Sequence, residues 1–146
     1  DQFGFILGHR VMLKEQDVEV AVPMVERLIS KYPIESVSFD KGYWSPDNKE
    51  KTKKLVSMVV MPKKGRKRIE EKEDESSKKY KQLRRSHCGI ESNINSLEHH
   101  GLNRCPDKGL KNFKKYTSLG ILSYNLHQLG NLLEEEEIKK QRRKAA

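Results

Sequence analysis

Ser36-Val37-Ser38-Phe39-Asp40-Lys41-Gly42-Tyr43-Trp44-Ser45-Pro46-Asp47 holds a strand, a turn and a helix start in one short stretch. Val37, Ser38 and Phe39 suit a brief strand, which ends on Asp40 immediately before Gly42. Ser45 can cap a helix, and Pro46 fits its first turn because its N–H would be unsatisfied there anyway. A helix is therefore expected from Asp47 to about Ser57. Met58-Val59-Val60-Met61 follows as a buried strand stopped by Pro62. Asp40 then sits at the carboxyl end of a strand, where open α/β sheets place their chemistry.

Upstream, residues 3–12 mix aromatic, β-branched and small side chains and predict another strand, ending in the polar Lys14-Glu15-Gln16-Asp17. Val22, Val25, Leu28 and Ile29 recur at helical spacing, with Asp17 available as a cap and Pro23 tolerable only near the first turn. Tyr32-Pro33 ends that helix. The order is βαβαβ, and the class is α/β. Downstream, residues 63–85 are nearly all charge, including Lys63-Lys64-Gly65-Arg66-Lys67-Arg68, and read as a solvated helix or a mobile insertion. Residues 88–98 place Ile90, Ile94 and Leu97 on one helical stripe, with Glu91 beside it near the helix start.

After a loop over 101–109, Phe113, Tyr116, Leu119, Leu122, Leu126, Leu129 and Leu133 recur every three or four residues. That spacing predicts a long amphipathic helix. A dimerisation seam is one reading of it, and packing against the sheet is the reading preferred here. Residues 134–146 are charged throughout, as an exposed helical end or a disordered tail. Domain organisation is thus one domain over 1–133, with 63–85 as a charged insertion, and a tail.

Lys plus Arg number 30 against 21 Asp plus Glu, a net charge of +9. This balance favours a polyanionic partner, nucleic acid first, with a basic solubilising surface as the alternative. Lys63, Lys64, Arg84 and Arg85 are the candidate phosphate contacts. Two cysteines, Cys88 and Cys105, are too few for a disulfide framework and read as reduced thiols. With His99 and His100 they raise a zinc site, but no pair has the spacing of a finger. No stretch resembles a membrane span or a secretory signal, so a soluble, intracellular protein with no membrane partner is expected. The chain opens on Asp1, directly before an apolar run, and an N-terminal truncation is expected.

The segments Ser36 to Ser45 with Asn48, Met61-Pro62-Lys63-Lys64-Gly65, and His87-Cys88-Gly89-Ile90-Glu91-Ser92-Asn93-Ile94-Asn95-Ser96-Leu97-Glu98 resemble the DDE transposases of bacterial insertion sequences. The resemblance continues through His99-His100-Gly101-Leu102-Asn103-Arg104-Cys105 to Asn125-Leu126-His127, and covers residues 3 to about 133. It implies part of a ribonuclease H-like fold, with a small sheet packed with helices and a long C-terminal helix. Asp40 matches the second of the family's three acids and Glu91 the third, as catalytic residues and metal ligands. The first acid belongs on a strand before residue 3 and is expected upstream.

The resemblance further implies two Mg²⁺ or Mn²⁺ ions, DNA as partner at element ends and target, self-association in a synaptic complex, and a bacterial cytoplasmic, nucleoid-associated location. Divalent metals of this type take carboxylate oxygens and water, and a metal pair can activate a water or 3′-hydroxyl while stabilising the leaving oxygen. Asp40 and Glu91 are therefore expected close enough to share a site. His87, four residues before Glu91, is expected as its hydrogen-bonded support. Trp44 either stacks on a splayed base or packs in the core, the latter preferred. A fragment without the first acid is expected to be inactive. The competing expectations are a non-catalytic DNA-binding remnant of a decayed element and a metal-dependent nuclease of the same fold.

Overall fold

The computed structural model describes residues 1–63, 65, 66, 69–87 and 89–145, with the side chains of 70, 71, 73, 74, 90, 91 and 100 outside the description. It is a mixed α/β chain that divides into two compact units, residues 12–90 and residues 1–11 with 91–146.

In the unit of residues 12–90, the first helix, α1, spans Asp17–Ile29. Gln16 rather than Asp17 is its N-cap, and the Gln16 N–H donates to Glu19 Oε2 at 2.8 Å. Asp17 and Glu19 place negative charge in the first turn, where the helix dipole favours it. Pro23 lies inside the helix, beyond the first turn where it was expected. Its missing N–H leaves the Glu19 carbonyl without a helical donor. Both residues are on the exposed side, so water can replace that bond and the helix continues. The opposite face buries Val20, Ala21, Val22 and Val25.

Strand β1 (Ser36–Ser38), helix α2 (Pro46–Leu55) and strand β2 (Met58–Val60) form a βαβ unit with parallel strands. Ser36 pairs with Met58, Val37 with Val59 and Ser38 with Val60, and the Phe39 N–H extends the ladder to the Val60 carbonyl at 2.8 Å. Ser45 caps α2 as expected, its Oγ accepting the Asn48 N–H at 3.0 Å. Val25, Val56, Val59 and Met61 form the core, with Ile29, Ile34, Val37, Phe39, Trp44 and Leu55 packed against it. Alternation along the strands puts Val37, Phe39, Val59 and Met61 on one face of the sheet, which is why a helix with the pattern of α1 can cover them.

Helices α3 (Ile69–Ser76) and α4 (Lys78–His87) occupy much of the expected insertion. The segment is helical over these residues, and α4 is not solvated on every side: it packs on β1 and β2 and buries Tyr80. Tyr80 is a single large apolar anchor in a charged run. It gives the helix a side that water does not favour, while Lys78, Lys79, Lys81 and Arg85 stay exposed.

In the unit of residues 1–11 with 91–146, the chain 3–12 carries no strand among the described residues, contrary to expectation. A strand needs a neighbouring strand, and this segment finds a side chain instead. The Ile6 N–H donates to Asn125 Oδ1 at 2.9 Å, and Asn125 Nδ2 donates to the Ile6 carbonyl at 3.0 Å. One primary amide thereby satisfies both backbone groups of one residue.

Helix α5 (Gly89–Leu97) runs into a π-helical turn, Glu98–Leu102, and a single helix, α6, runs through Leu110–Ala145. Tyr124, 1% exposed, donates its hydroxyl to Asn93 Oδ1 at 3.1 Å and accepts from Gln128 Nε2 at 2.9 Å, tying α5 to α6. Tyr116 Oη donates to the Gly101 carbonyl. Gly120 permits close approach here, since a Cβ at that position would lie 2.5 Å from Leu102 Cδ2. The tail is helical and exposed as far as Ala145, supported by i,i+4 contacts such as Lys139 to Glu135 at 3.5 Å. Among the described residues, no helix is long and apolar enough to cross a membrane.

Leu119, Leu122, Leu126, Leu129 and Leu133 remain exposed, whereas Tyr124, on the far side of the helix, is the buried residue.

Candidate functional site

Asp40 ends the extension of β1 and caps the 3-10 turn Lys41–Tyr43, its Oδ1 accepting the Lys41 N–H at 2.7 Å. The carboxylate is exposed. Its position follows from the ladder: the Phe39 N–H is the last β1 group held by β2, so the chain leaves the sheet at the next residue. Asn48 then fixes where the turn goes. It is 6% exposed, and its Nδ2 donates both to the Val18 carbonyl at 2.7 Å and to the Tyr43 carbonyl at 3.1 Å. The turn is thereby anchored to α1 and α2 together.

Asp17 lies close beside that turn, because a Cβ on Gly42 would come 2.6 Å from Asp17 Oδ2. Any side chain at this position would require the Asp17 carboxylate to shift. Tyr43 stands in the field of both acids. Burial first, then the charges of Asp17 and Asp40, hold its phenol above the usual range near 10.0. Its ring also packs against Phe39, with centroids 5.8 Å apart.

Beside the turn lies a cleft of about 370 Å³ lined by Lys41, Pro62, Glu75, Tyr80, Lys81, Arg84 and Arg85. Lys81, Arg84 and Arg85 fall at i, i+3 and i+4 on α4, which puts them on one face of the helix. Arg84 Nη1 reaches the Phe39 carbonyl over a long 3.5 Å, next to Asp40 in the chain. Four cations against Glu75 make the cleft strongly basic, in a concave setting that concentrates the field.

Of the residues singled out from sequence, Arg84 and Arg85 thus line one cleft, and Asp40 is the chain neighbour of Lys41, which lines it too. Lys63 sits with its Nζ 5.2 Å from the ring centroid of Trp44, and Trp44 packs against the core, as preferred. Glu91 is on α5, but its side chain and all of Lys64 fall outside the described residues. The expected approach of the Asp40 and Glu91 carboxylates falls there too. His87 is the last residue of α4 and half-buried, and its pairing with Glu91 again involves a side chain outside the described residues. Among the described residues, no three of His, Cys, Asp and Glu form a metal-binding group.

Lys41 and Lys81 were not singled out from sequence. Lys81 could have been found from the i, i+3, i+4 spacing it shares with Arg84 and Arg85. Lys41 could not, because nothing in a residue's adjacency to Asp40 says that its side chain turns toward a later helix. Neither a family model, nor a curated protein, nor a solved structure matches this chain.

Proposed function

We propose that this chain is part of the ribonuclease H-like catalytic domain of a DDE-type transposase, acting on the phosphodiester backbone of DNA. The observation that carries the reading is an exposed carboxylate, Asp40, at the end of a parallel strand, next in the chain to a cleft lined by four cations. Guanidinium and ammonium groups meet phosphate oxygens with charge-assisted hydrogen bonds, and Arg can do so with two parallel bonds. A bare carboxylate beside the same phosphates would repel them. A divalent cation between acid and phosphate removes that conflict, which gives the cleft and Asp40 one common purpose.

The donor chemistry at Asp40 fits such an ion. Oδ1 accepts one backbone N–H, and Oδ2 meets no donor among the described residues, so a hard oxygen remains available. Asp40 and Glu91 would hold Mg²⁺ or Mn²⁺, two ions in the complete site. When bound, the metal supplies Lewis acidity toward the phosphoryl group and activates a water or 3′-hydroxyl. The chain's own residues do the remaining work. Lys41, Lys81, Arg84 and Arg85 hold the DNA backbone, Asn48 keeps the Asp40 turn in place, and Lys63 with Trp44 extends the polar rim.

Mn²⁺ titration followed by electron paramagnetic resonance tests the reading at its acids. Asp40→Asn and Glu91→Gln should each weaken Mn²⁺ binding on the order of tenfold, about 1.4 kcal/mol, because each removes a ligand charge while keeping size. Binding unaffected by either substitution would contradict the assignment. A chain that binds DNA yet shows no Mn²⁺ site would instead be the non-catalytic remnant.

A further inference from the structure

The basic cleft carries an anion of its own. Glu75 lines it together with Lys41, Lys81, Arg84 and Arg85, and is the one acid among the described residues that do so. Four cations and one carboxylate leave the cleft at +3 rather than +4. Glu75 is half-buried, whereas Ser76, Ser77, Lys78 and Lys79, which follow it, are all exposed. A carboxylate accepts the same charge-assisted hydrogen bonds from guanidinium and ammonium groups as a phosphate oxygen does. Glu75 therefore stands where it competes with phosphate for the cations of the cleft.

The element that carries Glu75 is built to give way. Helix α3 has eight residues, and its sequence sets five acids, Glu70, Glu71, Glu73, Asp74 and Glu75, against the single cation Lys72. Its first residue, Ile69, is 77% exposed, and none of its described side chains is buried. The element it borders is α4, which follows it in the chain. A helix this short is marginal in water without burial to support it, and the elements that move on ligand binding come from the low-stability end of a fold. An approaching polyanion is repelled by α3 and attracted by the cations of α4, so binding pulls the two helices in opposite directions.

We propose that α3 is an autoinhibitory strap: Glu75 offsets part of the cleft's positive charge until a DNA backbone displaces it, and α3 loosens as it leaves. The proposal rests on the reading of the cleft as a DNA-backbone site and adds an internal competitor to it. One carboxylate among four cations weakens binding without preventing it, because a backbone that meets several cations at once outcompetes a single acid.

Fluorescence anisotropy of duplex DNA binding to the 146-residue chain, across a salt series, tests this. Glu75→Gln keeps the size of the side chain and removes its charge. It should tighten binding about threefold to tenfold at low salt, an advantage that shrinks as added salt screens the charges. The log–log salt slope should steepen by up to about 0.9, since one more cation is free to neutralise a phosphate. Glu26→Gln makes the same change in net charge at an exposed position of α1 outside the cleft, and should alter affinity and slope less. Hydrogen exchange reads the strap without any substitution: on DNA binding to wild type, the amides of α3 should exchange faster while those of α4 slow. If neither wild type nor Glu75→Gln binds DNA, the reading of the cleft falls and this inference with it. DNA binding that Glu75→Gln changes no more than Glu26→Gln would overturn the strap alone, and so would α3 amides that slow or stay unchanged in the complex.

Discussion

The two units of this chain are held together by different forces. In residues 12–90, the valines of α1 and β2 and Met61 leave water together, and a βαβ crossover gives each of them an apolar neighbour. In the unit that contains α6, a tyrosine is the buried aromatic. Polar clamps fix the geometry there: Asn125 on the Ile6 backbone, and Tyr124 between Asn93 and Gln128. The leucines of α6, which would ordinarily make a core, lie outside. A hydrophobic core resists substitution through lost burial and the cavity left behind. A polar clamp resists through the cost of leaving one buried partner unsatisfied.

Substitutions that separate these two costs would break or sharpen the contrast. The largest effect is expected at Met61, 2% exposed and in the core cluster. Met61→Ala should destabilise the chain by about 2–5 kcal/mol in urea unfolding, whereas Leu126→Ala in dilute protein should stay within about 0.5 kcal/mol. Equal losses at the two sites would erase the distinction. Next comes Asn48→Ala, which removes both donors that tether the Asp40 turn and should cost about 1–3 kcal/mol. Tyr124→Phe keeps the ring and deletes only the hydroxyl. A loss of about 1 kcal/mol, together with faster amide exchange in α5, is expected, because Asn93 and Gln128 lose their shared partner. No change in exchange would mean that the clamp does not order α5.

The smallest effect is a titration. With the folded phenol of Tyr43 held above 10.0, the stability it contributes is complete below the unfolded value and is lost as pH rises through the folded one. Phenolate absorbance should report a folded midpoint that falls in Asp17→Asn and in Asp40→Asn, since each removes a negative charge that disfavours ionisation. A midpoint that stays put in both variants would leave burial as the sole cause.

Much of the Asp40 region was legible in the sequence because its signals are local. Ser45-Pro46 starts α2 where a cap and a first-turn proline belong, and Pro62 follows the end of β2. The misses concern partners. Residues 3–12 have strand-like composition, but a strand is made by what lies beside it, and Asn125 took that place. Periodicity along α6 identified an apolar face without saying what would cover it, and Leu119, Leu122, Leu126, Leu129 and Leu133 are exposed. Pro23 was misplaced because a helix interior tolerates proline when the freed carbonyl faces water. Tyr80 was overlooked in a run where charge dominates the composition, though one buried ring is enough to dock α4.

The central claim, that the basic cleft beside Asp40 takes the DNA backbone, is tested most directly by fluorescence anisotropy of duplex DNA binding across a salt series. Binding should weaken steeply with salt and show little sequence preference. In Lys81→Ala/Arg84→Ala/Arg85→Ala, the log–log salt slope should shrink by about 0.9 for each of these cations that neutralises a phosphate. Removing an equal number of cations from the exposed tail, in Lys140→Ala/Arg142→Ala/Arg143→Ala, should change the slope less. A slope that is flat in the wild-type chain, or unchanged by the cleft substitutions while the tail substitutions reduce it, would contradict the account.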